Sequence, residues 1–140
     1  DWVLPFGVGE IRRPGDDVTV VSWGATVEKS LQAAAVLADR EGVEVEVIDL
    51  RTVVPWDQKL VAESVARTGR LLVVHEDTLV GGFGGEVASW AGEHCFADLD
   101  APVRRLGAAD THVAYEPKLE AAILPQTEGI TAAIWDLVTW

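Results

Sequence analysis

Apolar residues along this chain fall into short runs that alternate with longer stretches of helical spacing. VTVVSW (residues 18–23) is a near-continuous apolar run, the pattern of a strand covered on both faces. Gly24 permits a tight turn, and Thr26 is placed to cap the helix after it. Val27, Leu31, Ala34, Ala35 and Ala38 then recur at helical spacing, and Gly42 ends the helix. VEVEVIDL opens with strict alternation, Val43, Val45 and Val47 against Glu44 and Glu46. A period of two predicts a strand with one wet face, near a sheet edge.

Pro55 breaks the chain, and Asp57 is placed to cap a helix carrying Leu60, Val61, Ser64 and Val65 on one face up to Gly69. LLVVH (residues 71–75) reads as a central strand. A Gly-rich turn leads to a helix from about Gly85, with Val87, Trp90, Ala91, His94 and Cys95 directed inward. VRRLG (residues 103–107) is a fourth short strand. After a loop with Pro117 come a short helical stretch, LEAAIL, and a last helix that presents Ile130, Ile134, Leu137 and Val138. Trp135 is expected in the core. Residues 1–16, punctuated by Pro5, Gly7, Gly9, Pro14 and Gly15, read as a linker segment in which Trp2, Leu4 and Phe6 can pad a further domain. Residues 17–140 form the domain proper.

Strands separated by helices imply parallel pairing. The expected fold is therefore a three-layer α/β/α domain with a mainly parallel sheet of four to five strands. In such sheets function gathers at the carboxyl ends of the strands, where Gly24, Asp49, His75 and Gly107 should lie.

At 140 residues the chain can bury about 70% of its unfolded surface, enough for a core without staples. Its net charge of −12 disfavours nucleic acid, whose phosphates need cationic side chains, and suits a basic protein partner. The single Cys95 excludes an internal disulfide framework and fits a reduced, cytoplasmic setting. No apolar run approaches the roughly 20 residues needed to span a bilayer, and no signal peptide is expected. The start at Asp1 and the lack of Met suggest a piece of a longer polypeptide.

Chemistry-bearing motifs are incomplete. Gly24 and Asp49 occupy places that a dinucleotide site would use, but SWGATVE holds one glycine where a pyrophosphate needs more. Gly81, Gly82, Gly84 and Gly85 surround Phe83 without the Lys-Ser/Thr pair of a phosphate loop, and Asp77 and Glu86 would repel an anion. A loop packed closely against a neighbouring chain is expected instead. His75, Glu76 and Asp77 are consecutive strand residues and point to alternate faces, so they do not converge on a metal. His94, Cys95 and His112 lack zinc spacing. A triad of Cys95, His75 and an Asp has no nucleophile motif behind it. His75 is expected to be a hydrogen-bonded strand-end residue. Asp49 with Arg51, and Arg104 and Arg105 with Asp110, are expected to pair and orient loops. Trp140 is a large aromatic at the chain end, suited to an interface.

Four segments in order, PGDDVTVVSWGATVEKSLQAA, VIDLRTVVPWD, SVARTGRLLVVHEDTLVGGFGGE and DAPVRRLGAADTHVAYEPKLE, resemble the C-terminal domain of the beta subunit of thiamine-diphosphate-dependent 2-oxoacid dehydrogenases. Transketolase-like enzymes are the wider relatives. HEDTLVGGFGGE leans toward the branched-chain type. The resemblance implies oxidative decarboxylation of a 2-oxo acid with acyl transfer to lipoate. It implies thiamine diphosphate and magnesium held elsewhere in an α2β2 assembly of alpha and second beta subunits, so no catalytic, cofactor-binding or metal-binding residue is assigned to this chain. It also implies docking of the small basic subunit-binding domain of a dihydrolipoyl acyltransferase. Asp100 and Trp140 match positions near that docking region. Two rival readings are a free-standing nucleotide- or anion-binding α/β domain and the C-terminal domain of another transketolase-like enzyme.

Overall fold

The alternation of strands and helices is realised in order in the computed structural model, which describes residues 3–140. The elements are β1 (Glu10–Arg13), β2 (Val18–Ser22), α1 (Ala25–Glu41), β3 (Val45–Asp49), α2 (Gln58–Thr68) and β4 (Leu71–Thr78). They are followed by α3 (Gly84–His94), a 3-10 turn at Phe96–Asp98, β5 (Arg104–Ala108), α4 (Pro117–Ile123) and α5 (Thr127–Val138). The sheet order is β1-β3-β2-β4-β5, with β1 antiparallel and the other pairs parallel. The three-layer α/β/α expectation is borne out.

Side-chain alternation in the strands divides the core in two. Val18, Val20, Val45, Val47, Leu72 and Val74 face α1 and α5, where they meet Ala33, Ala34, Leu37, Ile130, Ile134 and Leu137. Val21, Ile48, Leu71 and Val73 point the other way, onto Val61 and Val65 of α2 and Val87 and Ala91 of α3. Covering both faces is why β2 and β4 read as unbroken apolar runs. Thr19 and Ser22 are the buried polar residues of β2, and Thr19 faces α2. Its hydroxyl lies 2.6 Å from that of Ser64 and 2.7 Å from that of Thr68, so the buried oxygens satisfy one another.

Several local expectations change. β1 lies inside the expected linker segment and was not anticipated, because EIRR has no alternation that marks a strand. It pairs along β3, Glu10 opposite Asp49 and Ile11 opposite Ile48. β3 is therefore second from the edge, and its supposed wet face is covered by α2. Glu46 is only 2% exposed and accepts a hydrogen bond from Arg67 Nη2 at 2.5 Å. Glu44, exposed ahead of the strand, pairs with Arg13 at 2.8 Å.

Thr26 does not cap α1. Gly24 is the N-cap with φ 65°, while the Thr26 hydroxyl accepts from Ser22 Oγ and donates to the Trp23 carbonyl. Asp57 does cap α2, accepting from the Leu60 amide at 3.0 Å; its other oxygen accepts from the Gly9 amide. The buried face of α1 runs through Thr26, Val27, Ser30, Ala33, Ala34 and Leu37, which leaves Ala35 exposed and Leu31 and Ala38 half-buried. His94 is exposed and stacks on Trp90, ring centroids 4.8 Å apart. Trp135 is 39% exposed, because the α5 stripe Ile130, Ile134 and Leu137 already fills the core contact. Trp2 lies outside the described residues.

Arg67→Ala strands the buried Glu46 carboxylate. Urea unfolding should show a loss of about 2 kcal/mol, less than a fully buried pair would cost because Arg67 is half exposed. Adding Glu46→Val should restore most of it. A single variant as stable as wild type would mean that the contact does not hold the charge.

Candidate functional site

Strand register brings the expected residues to one edge of the sheet. Ser22 pairs with both Asp49 and Val74, and Val74 pairs with Leu106. Gly24, His75 and Gly107 lie just past that level, with Asp49 on it. An open cleft of about 820 Å³ lies here, lined among others by Pro55, Trp56, Leu79, Phe83, Glu86 and Arg105. The β3–α2 and β4–α3 loops form its walls.

His75 sits beneath this cleft and is fully buried. Its ring lies parallel to Trp23, with centroids 5.4 Å apart, and Phe83 meets Trp23 edge-on. Three glycines make room for it. A Cβ on Gly84 would overlap His75 Nε2, and one on Gly82 would overlap the Thr78 carbonyl oxygen. One on Gly107 would come within 3.2 Å of His75 Cε1. Gly82 and Gly84 are thus required by packing inside this chain, whereas a Cβ on Gly81 would meet open space. His75 is not the hydrogen-bonded residue expected: neither ring nitrogen makes a well-formed hydrogen bond. Burial pushes its pKa below the ordinary histidine value, and the Arg105 guanidinium adds to this. Asp77 opposes it through its charge and its backbone carbonyl.

The expected ion pairs re-form with other partners. Asp49 Oδ1 accepts from the Arg51 amide at 2.9 Å, while the Arg51 guanidinium bonds Glu10. Strand β1, invisible in the pattern, supplies that carboxylate. Arg105 donates to the Leu79 carbonyl at 2.8 Å. Arg104 lies over the Trp140 ring, 5.2 Å from its centroid. Asp110 joins neither among the described residues.

At the opposite, amino edge, Asp100 and Trp140 come together. Both line a groove of about 480 Å³ with Phe96, Ala101, Pro102 and Val103. The Asp100 amide donates to the Gly69 carbonyl at 2.7 Å, and its carboxylate rests where a Cβ on Gly69 would be. Phe96 is 77% and Trp140 66% exposed. The groove therefore carries two exposed aromatics and one carboxylate, with a guanidinium over the indole. Sequence reasoning missed Phe96 and Arg104. Phe96 follows buried Cys95 at a helix end and carries no local mark of exposure, and Arg104 was assigned to Asp110.

Among the described residues no three His, Cys, Asp or Glu side chains converge as a metal site. No described helix is long and apolar enough to cross a membrane.

The family model for the transketolase C-terminal domain matches residues 7–130. The chain belongs to that family. It is 41% identical over 138 residues to the 2-oxoisovalerate dehydrogenase subunit beta of Bacillus subtilis, covering 98% of this chain and 42% of the relative. It is 44% identical over 111 residues to the mitochondrial 2-oxoisovalerate dehydrogenase subunit beta 2 of Arabidopsis thaliana, covering 79% and 31%. Against the mitochondrial pyruvate dehydrogenase E1 component subunit beta of Dictyostelium discoideum the figures are 37% identity, 95% and 37%. Among solved structures, a split-gene transketolase described as an inactive beta4 tetramer superposes with a TM-score of 0.85 at 29% identity, covering 97% of this chain and 44% of that one. The chain spans less than half the length of these curated relatives. It is a transketolase C-terminal domain similar to part of the beta subunits of 2-oxoisovalerate and pyruvate dehydrogenases.

His75 gives this transketolase C-terminal domain a pH signature. Above about pH 6.5 the imidazole is neutral in both folded and unfolded chains, and its contribution is constant. Below that, the unfolded chain takes up a proton more readily than the buried ring, so stability falls. Urea midpoints measured from about pH 7.5 to 5.5 should drop, and His75→Gln should flatten the slope. An unchanged slope in the variant would remove His75 as its origin.

Proposed function

We propose that this chain is the assembly and partner-docking domain of the beta subunit of a 2-oxoacid dehydrogenase. Its complete enzyme decarboxylates a branched-chain 2-oxo acid oxidatively and passes the acyl group to lipoate. Support for the substrate class comes from relatives whose names carry 2-oxoisovalerate, itself a branched-chain 2-oxo acid, at 41% and 44% identity. In this reading, thiamine diphosphate and magnesium belong to the complete α2β2 assembly, and its chemistry to residues outside this chain. The bacterial cytosol is the proposed setting, after the Bacillus subtilis relative.

The observation that carries the docking role is the groove shared by Asp100, Phe96 and Trp140 on a chain of charge −12. A negative field steers a cationic partner, here the subunit-binding domain of a dihydrolipoyl acyltransferase, and speeds encounter. Exposed aromatics then offer area that a partner can desolvate. The Asp100 backbone is held by Gly69, and Arg104 lies over one face of the Trp140 ring.

The nucleotide-binding reading gains no support from the glycine loop. Gly82 and Gly84 pack on Thr78 and His75, and in the cleft the charge of Arg105 is opposed by that of Glu86. A transketolase-like enzyme of other substrate is the second reading, favoured by the split-gene transketolase likeness.

Asp100→Lys should weaken capture of the acyltransferase's binding domain roughly tenfold at low salt and less at high salt. Calorimetry showing equal affinity at low ionic strength would remove Asp100 from the docking surface. The purified chain, given thiamine diphosphate, magnesium and 2-oxoisovalerate, should release no carbon dioxide. Turnover by this chain alone would overturn the non-catalytic assignment.

A further inference from the structure

Most of what encloses His75 is fixed. Its own strand, β4, lies between β2 and β5 in the sheet. Trp23, stacked on the ring, follows directly on β2, and Gly107 belongs to β5. Strand pairing holds these walls in place.

The remaining wall is the β4–α3 loop, and its hold is slight. Among the described residues no backbone hydrogen bond joins residues 79–81 to another element. The Thr78 hydroxyl donates to the Val80 carbonyl, a tie within the turn itself. From another element, the exposed Arg105 guanidinium donates to the Leu79 carbonyl and lies beside Gly85. Gly81 stands at φ 77° in open space, so the backbone can turn there without a side-chain clash. Phe83 is the apolar contact of the loop, edge-on to Trp23. Gly82 covers Cε1, the ring carbon between the two unpartnered nitrogens. Lifting it uncovers the edge that carries both. On the loop's far side lies the open cleft.

Charge supplies a force that acts on this wall. A neutral imidazole can stay sealed, but a cation enclosed without a hydrogen-bond partner is costly. Few charged groups face it. Asp77, on the same strand, favours the charged ring, and Arg105 of β5 opposes it. The end of β2 presents the uncharged Trp23. Glu86 of α3 lines the cleft beyond the loop, and Glu76 lies in a separate groove with α4. We propose that residues 79–83 are a lid over His75 that lifts toward the cleft when the imidazole takes up a proton, with the hydrogen bond from Arg105 to Leu79 as its catch. Lifting hydrates the cation and sets it at the base of the cleft, whose shape and charge then change as pH falls. The lid needs neither the substrate class nor the docking role assigned above.

The test is NMR of the folded chain from about pH 7.5 to 5. Ring-nitrogen spectra follow the protonation of His75. The Gly85 and Glu86 amides donate to the Gly82 and Phe83 carbonyls at 3.0 Å, so their hydrogen exchange reports opening. The Ala34 amide inside α1 is the reference at each pH. Gly85 and Glu86 should gain about tenfold in exchange relative to Ala34, in step with ring protonation. His75→Gln, neutral throughout, should abolish the gain. Arg105→Gln alters an exposed residue and tests the lid without touching its core. It should raise the same ratio about fivefold already at pH 7.5 and move ring protonation to higher pH. A ratio that stays flat while the ring titrates overturns the proposal. So does Ala34 exchange that rises together with the loop, or a ring that takes up no proton before the whole chain unfolds. Wild-type exchange in Arg105→Gln removes the catch and overturns the lid as drawn.

Discussion

Two-sided burial of the central strands is the constraint on which the rest of this domain depends. Val20 and Val21, and Val73 and Val74, are neighbours in sequence but serve different cores. Each pair must find a helix layer on its own side, because parallel strands leave neither face to water. Once α1 and α5 take one face and α2 and α3 the other, the loops have little choice. Those after β2, β3, β4 and β5 gather at one edge, and the segments that lead into them gather at the other. The cleft above His75 and the groove at Asp100 are products of that arrangement.

Polar groups inside this frame are handled in three ways. Thr19, Ser64 and Thr68 satisfy one another in a closed hydroxyl set. Glu46 is matched by a partner whose other side reaches solvent, so desolvation falls mainly on the carboxylate. His75 is neither paired nor solvated; it is enclosed by glycines and stacked on Trp23. Such a ring is tolerable because it can stay neutral, whereas a buried carboxylate or ammonium would need a counter-charge.

Surface and charge divide the molecule's external roles. The acidic excess acts at range and does not distinguish one partner from another. Local shape differs between the edges: Phe96 and Trp140 are exposed at one, and Tyr115 and Leu119 after β5. The exposed side chains Phe96, Trp140, Tyr115 and Leu119 are outside both cores.

The order and type of β2, α1, β3, α2, β4, α3, β5 and α5 were determined by the sequence alone, since hydrophobic period, caps and glycine stops act over a few residues. The family resemblance was legible for a similar reason, its motifs being continuous segments. Tertiary structure alone decided that EIRR pairs as β1, that Glu46 is buried against Arg67, and that His94 and Trp135 face solvent. It alone seated His75 among three glycines and joined Asp100 to Phe96 and Trp140. These outcomes depend on which face of a neighbour arrives beside a residue. That contact is made across long stretches of chain, and no local pattern encodes it.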